Sequence, residues 1–598
     1  MSIHIQVALP SPSTHLYHVS IILDELSQET TFVDLSMPVW IPGSYLVREY
    51  ARHVQNMRAD DTTGGALEVV QQDKATWRVH TGGAAEVVVH YEVYAHDINV
   101  RANHLDASHG FFNGVSLLMY PHGRLQEPVD LSIDAPEGWR IFTGLPRDEE
   151  IPTLFHASDF DELFDCPVEM GPHEPLQFEV EGVPHDIVFW GDPKVDRDVL
   201  VEDHRKIVQA HADLFGDLPY DHYTFVTLLA QGGRGGLEHR NSTILYWDPM
   251  NFRSGAPGSE HKDGMPHGPY LDYLRLVCHE HFHTWNVKRI RPSVLGPFDY
   301  QNENYTRDLW TVEGVTSYYE VLSLVRAGLM SPKDFLQNTA DAIKVLRAIP
   351  GRRLHSLEDA SFNAWVKLYR PDENTRNSSV SYYLKGELVT FLLDALIRAG
   401  SKGAKSFDDV MQWLWAAYQS DGKGYPEGGY AEVIRQATGV DVSESLRALV
   451  ATTDELPWDE VLPQVALKLR ATHKDEPGAW LGVRTSAKQG RAVIAAVTSG
   501  GPAHTYGLNA QDELVALDGH RITPENLDKL VGLCHPIQAV QVHVFRRGEL
   551  MEHRVTLAPA PEDTYTIEVD AQASDEAKAV LQAWLGLAHE DDASKRNT

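Results

Sequence analysis

Residues 277–283 read VCHEHFH, and this short segment decides how the middle of the chain folds. Its histidines, His279 and His283, are four residues apart, and residues at that spacing lie on one face of a helix, where both imidazoles can reach one metal ion. Apolar side chains recur at helical spacing from residue 270 to residue 288, without Pro or Gly, which predicts a helix over that range. Glu280 would then lie beside the ion, ready to take a proton from an attacking water.

A metal site of this type needs a third protein ligand and one open position. The next helical pattern, residues 309–327, carries the strongest candidate, Glu313, in the stretch LWTVEG. Two other glutamates are alternatives, since Glu320 lies about two turns further along the same helix and Glu303 precedes it in a less regular stretch. His281 faces away from the side that the two outer histidines share, so we expect it to have a supporting or structural role.

The composition indicates a soluble globular protein. Its 598 residues are 42% hydrophobic and 23% charged, and this length suggests about three or four domains. Asp and Glu total 85 against 52 Lys and Arg, which gives a formal net charge of -33. Nucleic acids and anionic membranes attract basic surfaces, so this balance argues against both as partners. We expect the acidity to serve solubility.

The cysteine content and the first residues bear on location. Cys166, Cys278 and Cys534 are far apart in the sequence and odd in number, so they do not predict a disulfide framework, and reduced thiols fit a cytoplasmic protein. The first residues, MSIHIQV, lack a basic segment followed by an apolar one. No apolar run approaches the roughly 18 residues of a membrane-spanning helix. We therefore expect a cytoplasmic location.

The first part of the chain, residues 1–175, predicts an antiparallel, sandwich-like β-domain, because stretches rich in Val, Ile, Tyr and Thr alternate and are broken by Gly, Pro and Asp. The predicted strands include residues 16–23, 67–79 and 85–94. Residues 176–458 have a mixed pattern that becomes mostly helical. Besides the helices above, this part predicts a strand at 223–230 and helices over 196–214, 332–348, 382–400 and 407–418.

A further part, residues 465–560, has short β patterns separated by turns that contain glycine. Strands are predicted at 492–497 and 540–546 within it. Residues 561–598 form a polar tail with a short predicted helix at 577–587 and a frayed end. The predicted fold is therefore multidomain, with an antiparallel β-domain, an α+β domain that ends in a helical region, and a β-rich C-terminal domain.

Two more stretches carry residues with chemical potential. A glycine-rich turn, GGRGGLEH, covers residues 232–239, and YYLKG, residues 382–386, begins a helical pattern with two adjacent tyrosines. In chain order, GGLEH, HEHFH, WTVEG and YLKG resemble the motifs of the M61 family of peptidases. That family comprises glycyl aminopeptidases, gluzincin zinc metallopeptidases with a C-terminal PDZ domain. The resemblance covers nearly the whole chain.

Two departures separate this sequence from the related alanyl aminopeptidases. Their G-A-M-E-N motif ends in Asn, whereas GGLEH ends in His239, and the interval between His283 and Glu313 is longer than theirs. Both features fit the glycyl branch. Because His239 replaces that Asn, we do not expect this chain to repeat the backbone contacts of the alanyl enzymes in detail.

The resemblance implies a thermolysin-like catalytic domain over residues 176–458 and a PDZ domain over residues 465–560. It also implies one zinc ion per chain, held by a set of three ligands: His279, His283 and Glu313.

The same resemblance implies a substrate-binding group, which comprises Gly235, Gly236, Glu238 and His239. The Glu238 carboxylate would hold the free α-ammonium group of a peptide, one residue from the zinc. Tyr383 would donate its hydroxyl to the oxyanion, and Tyr382 beside it is the alternative.

The implied reaction is hydrolysis of the N-terminal peptide bond, with Glu280 as general base and a preference for Gly or Ala as first residue. The partners would be peptides with a free N-terminus and a peptide tail at the PDZ domain, whose carboxylate loop would lie near residues 480–483. A PDZ domain that serves only for docking is equally compatible with the sequence. The alternative functions are a PDZ-assisted zinc endopeptidase and a non-catalytic peptide-binding scaffold.

Overall fold

A computed structural model describes residues 3–253, 261–262, 265–474 and 476–587. These residues form two compact units, and each unit is made of several chain segments. The first unit comprises Met1–Thr306, Tyr319–Met330 and Met411–Glu427, and the second comprises Arg307–Tyr318, Ser331–Val410 and Gly428–Thr598. Among the described residues, no helix is both long enough and apolar enough to cross a membrane.

The first unit begins with a seven-stranded sheet. In spatial order its strands are Leu154–Ala157, Val129–Asp134, Ile3–Ala8, Leu16–Leu23, Val87–Tyr94, Val54–Asp61 and Ala66–Leu67. Side chains of Leu16–Leu23 are alternately buried and partly exposed, so one face of the sheet packs on the core. The predicted β-rich N-terminal domain is confirmed. In the seven-stranded sheet, every strand pair is antiparallel except Ile3–Ala8 with Val129–Asp134, which is parallel.

Two four-stranded sheets complete the β-rich part of the first unit. One has the order Arg140–Thr143, Val168–Gly171, Gly110–Phe112 and His104–Leu105, and the other has the order Tyr120–Pro121, Phe32–Ser36, Thr76–His80 and Val69–Gln71. The strand predicted over residues 67–79 is therefore divided. A turn separates strand Val69–Gln71 from strand Thr76–His80. The Asp73 carboxylate stabilises this reversal of the chain by accepting a hydrogen bond from the Ala75 N–H.

A five-stranded sheet follows in the first unit. Its order is Leu176–Val180, Val183–Trp190, Tyr223–Leu229, Ser242–Trp247 and Gly236–Glu238, so the last of these is an edge strand. Helix Arg197–Phe215 packs against helix Gly268–Phe282. The Asp196 carboxylate caps the first of these helices by accepting the Asp198 N–H, and Gly216 at φ +84° ends it.

Shorter elements connect the sheets of the first unit. The short helices are Gly114–Leu117, Phe160–Phe164 and Pro249–Arg253, and the 3-10 turns are Pro12–Thr14, Tyr50–His53 and Ser293–Leu295. The short strands His261–Lys262 and Met265–Pro266 pair in antiparallel register.

The helix that carries the histidine motif, Gly268–Phe282, is named the motif helix. The prediction that it continues to residue 288 is wrong. His283 is its C-terminal cap with helical dihedral angles, and its N–H still donates to the His279 carbonyl oxygen at 3.3 Å. Val287 has φ +136°, which a helix does not accommodate, so the chain leaves the helical path after the motif.

The next helix begins with a π-helical turn, Trp310–Gly314, and continues as the α-helix Val315–Arg326; together they are named the glutamate helix. It starts in the second unit and ends in the first. Single π-helical turns are rare and occur frequently at functional sites, which draws attention to Glu313 within this turn.

Most of the remaining helices belong to the second unit. Their bounds are Pro332–Arg347, Leu357–Phe362, Thr375–Ser378, Tyr382–Gly400, Phe407–Asp421, Tyr430–Thr438, Ser443–Ala451 and Trp458–Val461, with 3-10 turns at Pro350–Arg353, Ala364–Val366 and Leu462–Val465. Helix Phe407–Asp421 passes into the first unit. Helix Tyr382–Gly400 has the predicted bounds, because the Ser381 hydroxyl accepts the Leu384 N–H and fixes its start.

The C-terminal part of the second unit is a β-rich domain with its own core. The strands Val483–Lys488, Arg491–Val497, Glu513–Leu517, Ala539–Arg546 and Glu549–Thr556 form a sheet, to which His520–Arg521 adds. Two small sheets pair Leu467–Thr472 with Thr564–Val569 and Ala479–Trp480 with Ala558–Pro559, and the helices are Pro502–Thr505 and Leu527–Gly532. The β-rich C-terminal domain of the predicted fold is confirmed.

The helix predicted at residues 577–587 lies at Asp575–Leu585. Its Trp584 packs on Phe335 and Phe391, so this helix joins the helical core of the second unit. The rest of the predicted polar tail, residues 588–598, lies outside the described residues.

Candidate metal centre

The motif helix brings His279 and His283 side by side. Their ring centroids are 4.7 Å apart at an angle of 83°, and both side chains are buried. The two rings therefore converge, as the four-residue spacing predicts.

Each of these histidines has one ring nitrogen held by an acceptor. The Nδ1–H of His279 donates to Glu320 Oε2 at 2.9 Å, and the Nδ1–H of His283 donates to the Asn286 carbonyl oxygen at 2.7 Å. Because a neutral imidazole carries one proton, this arrangement leaves the Nε2 lone pair of each ring for a metal ion. A histidine fixed through its other nitrogen is typical of metal ligands in proteins.

Glu320 is a positioning residue for His279. Its carboxylate also accepts two hydrogen bonds from Arg275, at 2.9 and 2.7 Å. Burial opposes ionisation, but the charge of Arg275 and the hydrogen bond from His279 outweigh it and hold the pKa of Glu320 below its usual value. With both oxygens engaged in this way, Glu320 fits the role of a ligand poorly, and Glu303 is exposed.

His281, the middle histidine of the motif, contacts different residues. Its Nδ1 lies 2.8 Å from His211 Nδ1, and its Nε2 lies 2.8 Å from the Tyr220 hydroxyl. The ring is fully buried, and burial lowers its pKa well below the usual value, so it stays neutral. These contacts fit the structural role that the spacing predicts.

Glu280 lies against the edge strand Gly236–Glu238. A methyl group at Gly236 would come within 2.3 Å of Glu280 Oε1, so only glycine lets the strand approach this carboxylate. Carboxylate oxygens of Glu238 and Glu280 and a ring nitrogen of His283 lie within 4.8 Å of one another. The edge strand thus delivers a second carboxylate to the centre.

A loop of the N-terminal β-domain closes on Glu238. Gly43, at φ +88°, packs so tightly that a methyl group there would come within 2.4 Å of Glu238 Oε1, and Glu238 is 4% exposed. Trp40 stacks on Tyr45 and donates its indole N–H to the Asp299 carbonyl oxygen at 2.8 Å, which anchors the loop. Sequence reasoning missed this loop, because no spacing rule relates residue 43 to residue 238.

His239 faces away from the pair of carboxylates and holds a different acid. Its Nδ1 lies 3.2 Å from Asp165 Oδ1, which also receives Lys288 at 2.7 Å. Burial opposes the charge on Asp165, but the charge of Lys288 and the hydrogen bond from His239 outweigh it and hold its pKa well below the usual range. His239 therefore ties the end of the edge strand to the β-rich part of the unit. Gly235, one residue before that strand, has φ +121°, which a side chain rarely allows.

The second unit presents Glu313 and Tyr383 together. Gly314 follows Glu313 and meets Gly386 so closely that a methyl group at Gly314 would lie 2.4 Å from the Gly386 Cα. This glycine contact lets the glutamate helix and helix Tyr382–Gly400 cross at short distance. Burial raises the pKa of Tyr383 well above its usual value, and the charge of Glu313 raises it further, so its hydroxyl keeps its proton. The rings of Tyr382 and Tyr383 stack at 4.9 Å.

The predicted carboxylate loop of the C-terminal domain, residues 480–483, has a defined shape. Gly482 has φ +83°, the Gly482 carbonyl oxygen accepts the Thr498 N–H at 2.9 Å, and the adjacent strand Val483–Lys488 is at the edge of its sheet. Within the second unit, Asn377 holds this domain by donating to the Val497 carbonyl oxygen and accepting the Ser499 N–H, each at 2.8 Å.

Three segments of the chain match known protein families. Residues 4–172 match the Peptidase M61 N-terminal domain, residues 272–389 match the M61 glycyl aminopeptidase domain, and residues 479–557 match a PDZ domain. No match was found among the curated proteins.

Solved structures are similar over most of the chain. An aminopeptidase N family protein from Idiomarina loihiensis is 29% identical, with 98% of this chain and 100% of that chain covered and a TM-score of 0.90. An M1 zinc metallopeptidase from Deinococcus radiodurans is 13% identical, with 76% of this chain and 95% of that chain covered and a TM-score of 0.45. Native yeast LTA4 hydrolase is 13% identical, with 78% and 71% covered and a TM-score of 0.45.

Proposed function

Because the chain belongs to the M61 peptidase family and is a zinc metallopeptidase, we propose that it is an aminopeptidase that removes small first residues, Gly or Ala, from peptides. The observation that carries this proposal is the buried carboxylate of Glu238. It lies beside Glu280 and His283, where the reaction would occur, and it is walled by Gly43. A buried negative charge at that place suits the α-ammonium group of a peptide.

We propose His279, His283 and Glu313 as ligands of one zinc ion. The two histidines offer Nε2 lone pairs, and two histidines with a carboxylate are a set that zinc accepts. When bound, the zinc ion polarises the scissile carbonyl group and acidifies the attacking water.

Contacts within the first unit support Glu313 as the third ligand. Tyr319 of the glutamate helix stacks on Phe282 at 4.6 Å, and Glu320 reaches back to His279 and Arg275, so the glutamate helix and the motif helix pair in opposite directions. The other glutamate of the same helix, Glu313, lies in its π-helical turn, a feature that occurs frequently at functional sites. His279, His283 and Glu313 are all buried, so none of the three is a solvated surface side chain.

Glu280 would act as the general base and acid. It would take a proton from the attacking water and deliver it to the leaving amine. Tyr383 would donate its hydroxyl to the oxyanion of the tetrahedral species, and its raised pKa keeps that proton available at neutral pH. Gly236 would let the substrate and Glu280 approach the same strand.

The edge strand Gly236–Glu238 would orient the peptide. A substrate that adds to a free sheet edge gains main-chain hydrogen bonds and enters in one direction. With its amine on Glu238, the first peptide bond would lie at the zinc, and this arrangement limits cleavage to one residue at a time.

We propose a peptide tail as the ligand of the C-terminal PDZ domain. The edge strand Val483–Lys488 and the loop at residues 480–483 support strand addition with capture of a terminal carboxylate. Docking by Asn377 supports the alternative, in which the domain only holds the helical part of the second unit.

The proposal is tested with Gly-, Ala-, Leu- and Arg-initiated peptides, each with a free and an acetylated N-terminus, with and without a zinc chelator. We expect cleavage of free Gly and Ala peptides only, and its loss with chelator. Glu280→Gln should retain zinc and lose turnover by about 10²- to 10⁴-fold. Cleavage of acetylated peptides would instead establish an endopeptidase, and the absence of chelator-sensitive cleavage of any peptide would establish a binding scaffold.

A further inference from the structure

A second group of metal-binding side chains lies in the N-terminal β-domain, far in sequence from the histidine motif. It consists of His109, Glu169 and His173, and it is named the β-domain cluster. One donor atom of each residue lies within 4.8 Å of the other two. We propose that the β-domain cluster binds a second zinc ion, which stabilises the fold and takes no part in peptide hydrolysis.

Strand pairing builds the β-domain cluster. Glu169 is on strand Val168–Gly171, and His109 directly precedes strand Gly110–Phe112, which pairs with it in antiparallel register. His173 follows two residues after the end of the Glu169 strand. A methyl group at Gly171 would come within 2.4 Å of His173 Nε2, so glycine lets that ring turn back toward Glu169.

The distances suit a shared ion. Glu169 Oε1 lies 3.0 Å from His109 Nδ1 and 2.7 Å from His173 Nε2. Tetrahedral zinc with bonds of about 2.0–2.2 Å holds its ligand atoms roughly 3.3 Å apart. Shifts of a few tenths of an ångström would thus admit the ion between the three atoms.

Charge balance points to a cation. His109 and Glu169 are both 0% exposed, and the ion-pair partners shown for Glu169 are the two histidines. An ionised carboxylate buried this deeply needs hydrogen bonds and a balancing positive charge, because an isolated charge is costly in a protein interior. A divalent ion supplies that compensation and uses the nitrogen lone pairs as ligands.

The surroundings of His109 are those of a metal ligand. Its Nε2 is 2.8 Å from His104 Nδ1, so a neighbouring side chain fixes the nitrogen that faces away from Glu169. Trp190 stacks on the imidazole at 4.1 Å and 12°, and it donates its indole N–H to Ser108 at 3.1 Å. These contacts hold the ring in one orientation and exclude water from that face.

The experiment counts zinc ions in the full-length chain by mass spectrometry after dialysis against zinc-containing, then zinc-free, buffer. We expect two ions per chain in the unchanged protein, one in His173→Ala and one in His283→Ala. His156→Ala is the matched control, because His156 also contacts carboxylates, Asp130 and Asp148, at the surface of the same domain. It should keep both ions.

The proposal is overturned if the unchanged protein holds a single zinc ion. It is also overturned if the His173→Ala variant still holds two. If His173→Ala does not fold, zinc-edge anomalous diffraction from the unchanged protein decides. A peak bonded to His109, Glu169 and His173 supports the site, and its absence refutes it. The count also tests the two sites separately. If the proposed catalytic ligands were wrong, His173→Ala would still lose one zinc ion.

Discussion

The residues proposed for the chemistry lie on helices, whereas those proposed to hold the substrate lie on an edge strand and a loop. His279, Glu280 and Tyr383 belong to helices whose periodicity is visible in the sequence. Glu238 belongs to the edge strand, and Gly43 reaches it from a loop far earlier in the chain. A local sequence motif is therefore enough to predict the class of reaction. Substrate recognition cannot be predicted in this way, because it depends on contacts between distant parts of the chain.

This comparison predicts two kinds of variant. Changes on the helices should lower turnover or metal binding for every substrate alike. Changes at the strand and loop should act through the substrate amine and leave the metal in place. Three variants test this division, in order of expected effect.

Tyr383→Phe should have the largest effect of the three. Loss of an oxyanion donor should lower kcat by about 10²- to 10³-fold for all cleaved peptides, with little change in KM or zinc content. Steady-state kinetics on free Gly and Ala peptides measures it. Tyr382→Phe is the control, since it removes the same hydroxyl group from the ring that stacks beside Tyr383. If Tyr382→Phe lowered kcat instead, the assigned tyrosine would be wrong.

Glu320→Gln should weaken zinc binding by about 10- to 100-fold, because the amide holds His279 less firmly than the carboxylate that accepts its Nδ1–H. Competition with a chromogenic chelator measures the affinity. At saturating zinc, turnover should largely recover. Glu303→Gln, an exposed glutamate near the same helix, should leave the affinity unchanged. Lost turnover at full zinc occupancy would count against a positioning role.

Gly43→Ala should have the smallest effect, about tenfold in kcat/KM, since displacement of Glu238 by a fraction of an ångström disturbs the amine contact. KM should rise more than kcat falls, and zinc content should stay the same. Gly64→Ala is the control: Gly64 has a similar φ of +78°, but within the described residues no atom lies within 4 Å of a methyl group there. Equal losses in the two variants would assign the effect to backbone strain.

The sequence predicts the helical part of the site because a helix fixes its own geometry. The four-residue interval alone implies that His279 and His283 share a face, and the observed rings converge. The helix end was predicted poorly, since the backbone at Val287 has a conformation that no local apolar pattern reveals. The sequence leaves Glu320 open as a ligand, and its contact with Arg275 is visible only in the structure.

The β-domain cluster shows why strands are harder to interpret. His109 and Glu169 meet through the register of two paired strands, and that register is set by side-chain packing and by the turns between the strands. The interval between them in sequence therefore carries no geometric information. The Glu238 contact with Gly43 has the same origin, because tertiary packing decides it.

The parallel pairing of Ile3–Ala8 with Val129–Asp134 has a consequence for the order of events during synthesis. Ile3–Ala8 is an interior strand of the seven-stranded sheet, so one of its edges has no neighbour until residues 129–134 have left the ribosome. Until then the nascent hairpin with Leu16–Leu23 exposes a row of unpaired backbone groups and apolar side chains such as Ile5 and Val7. Such non-local pairing is slow to form and open to wrong partners, so a chaperone that covers this hairpin during synthesis would protect it from aggregation.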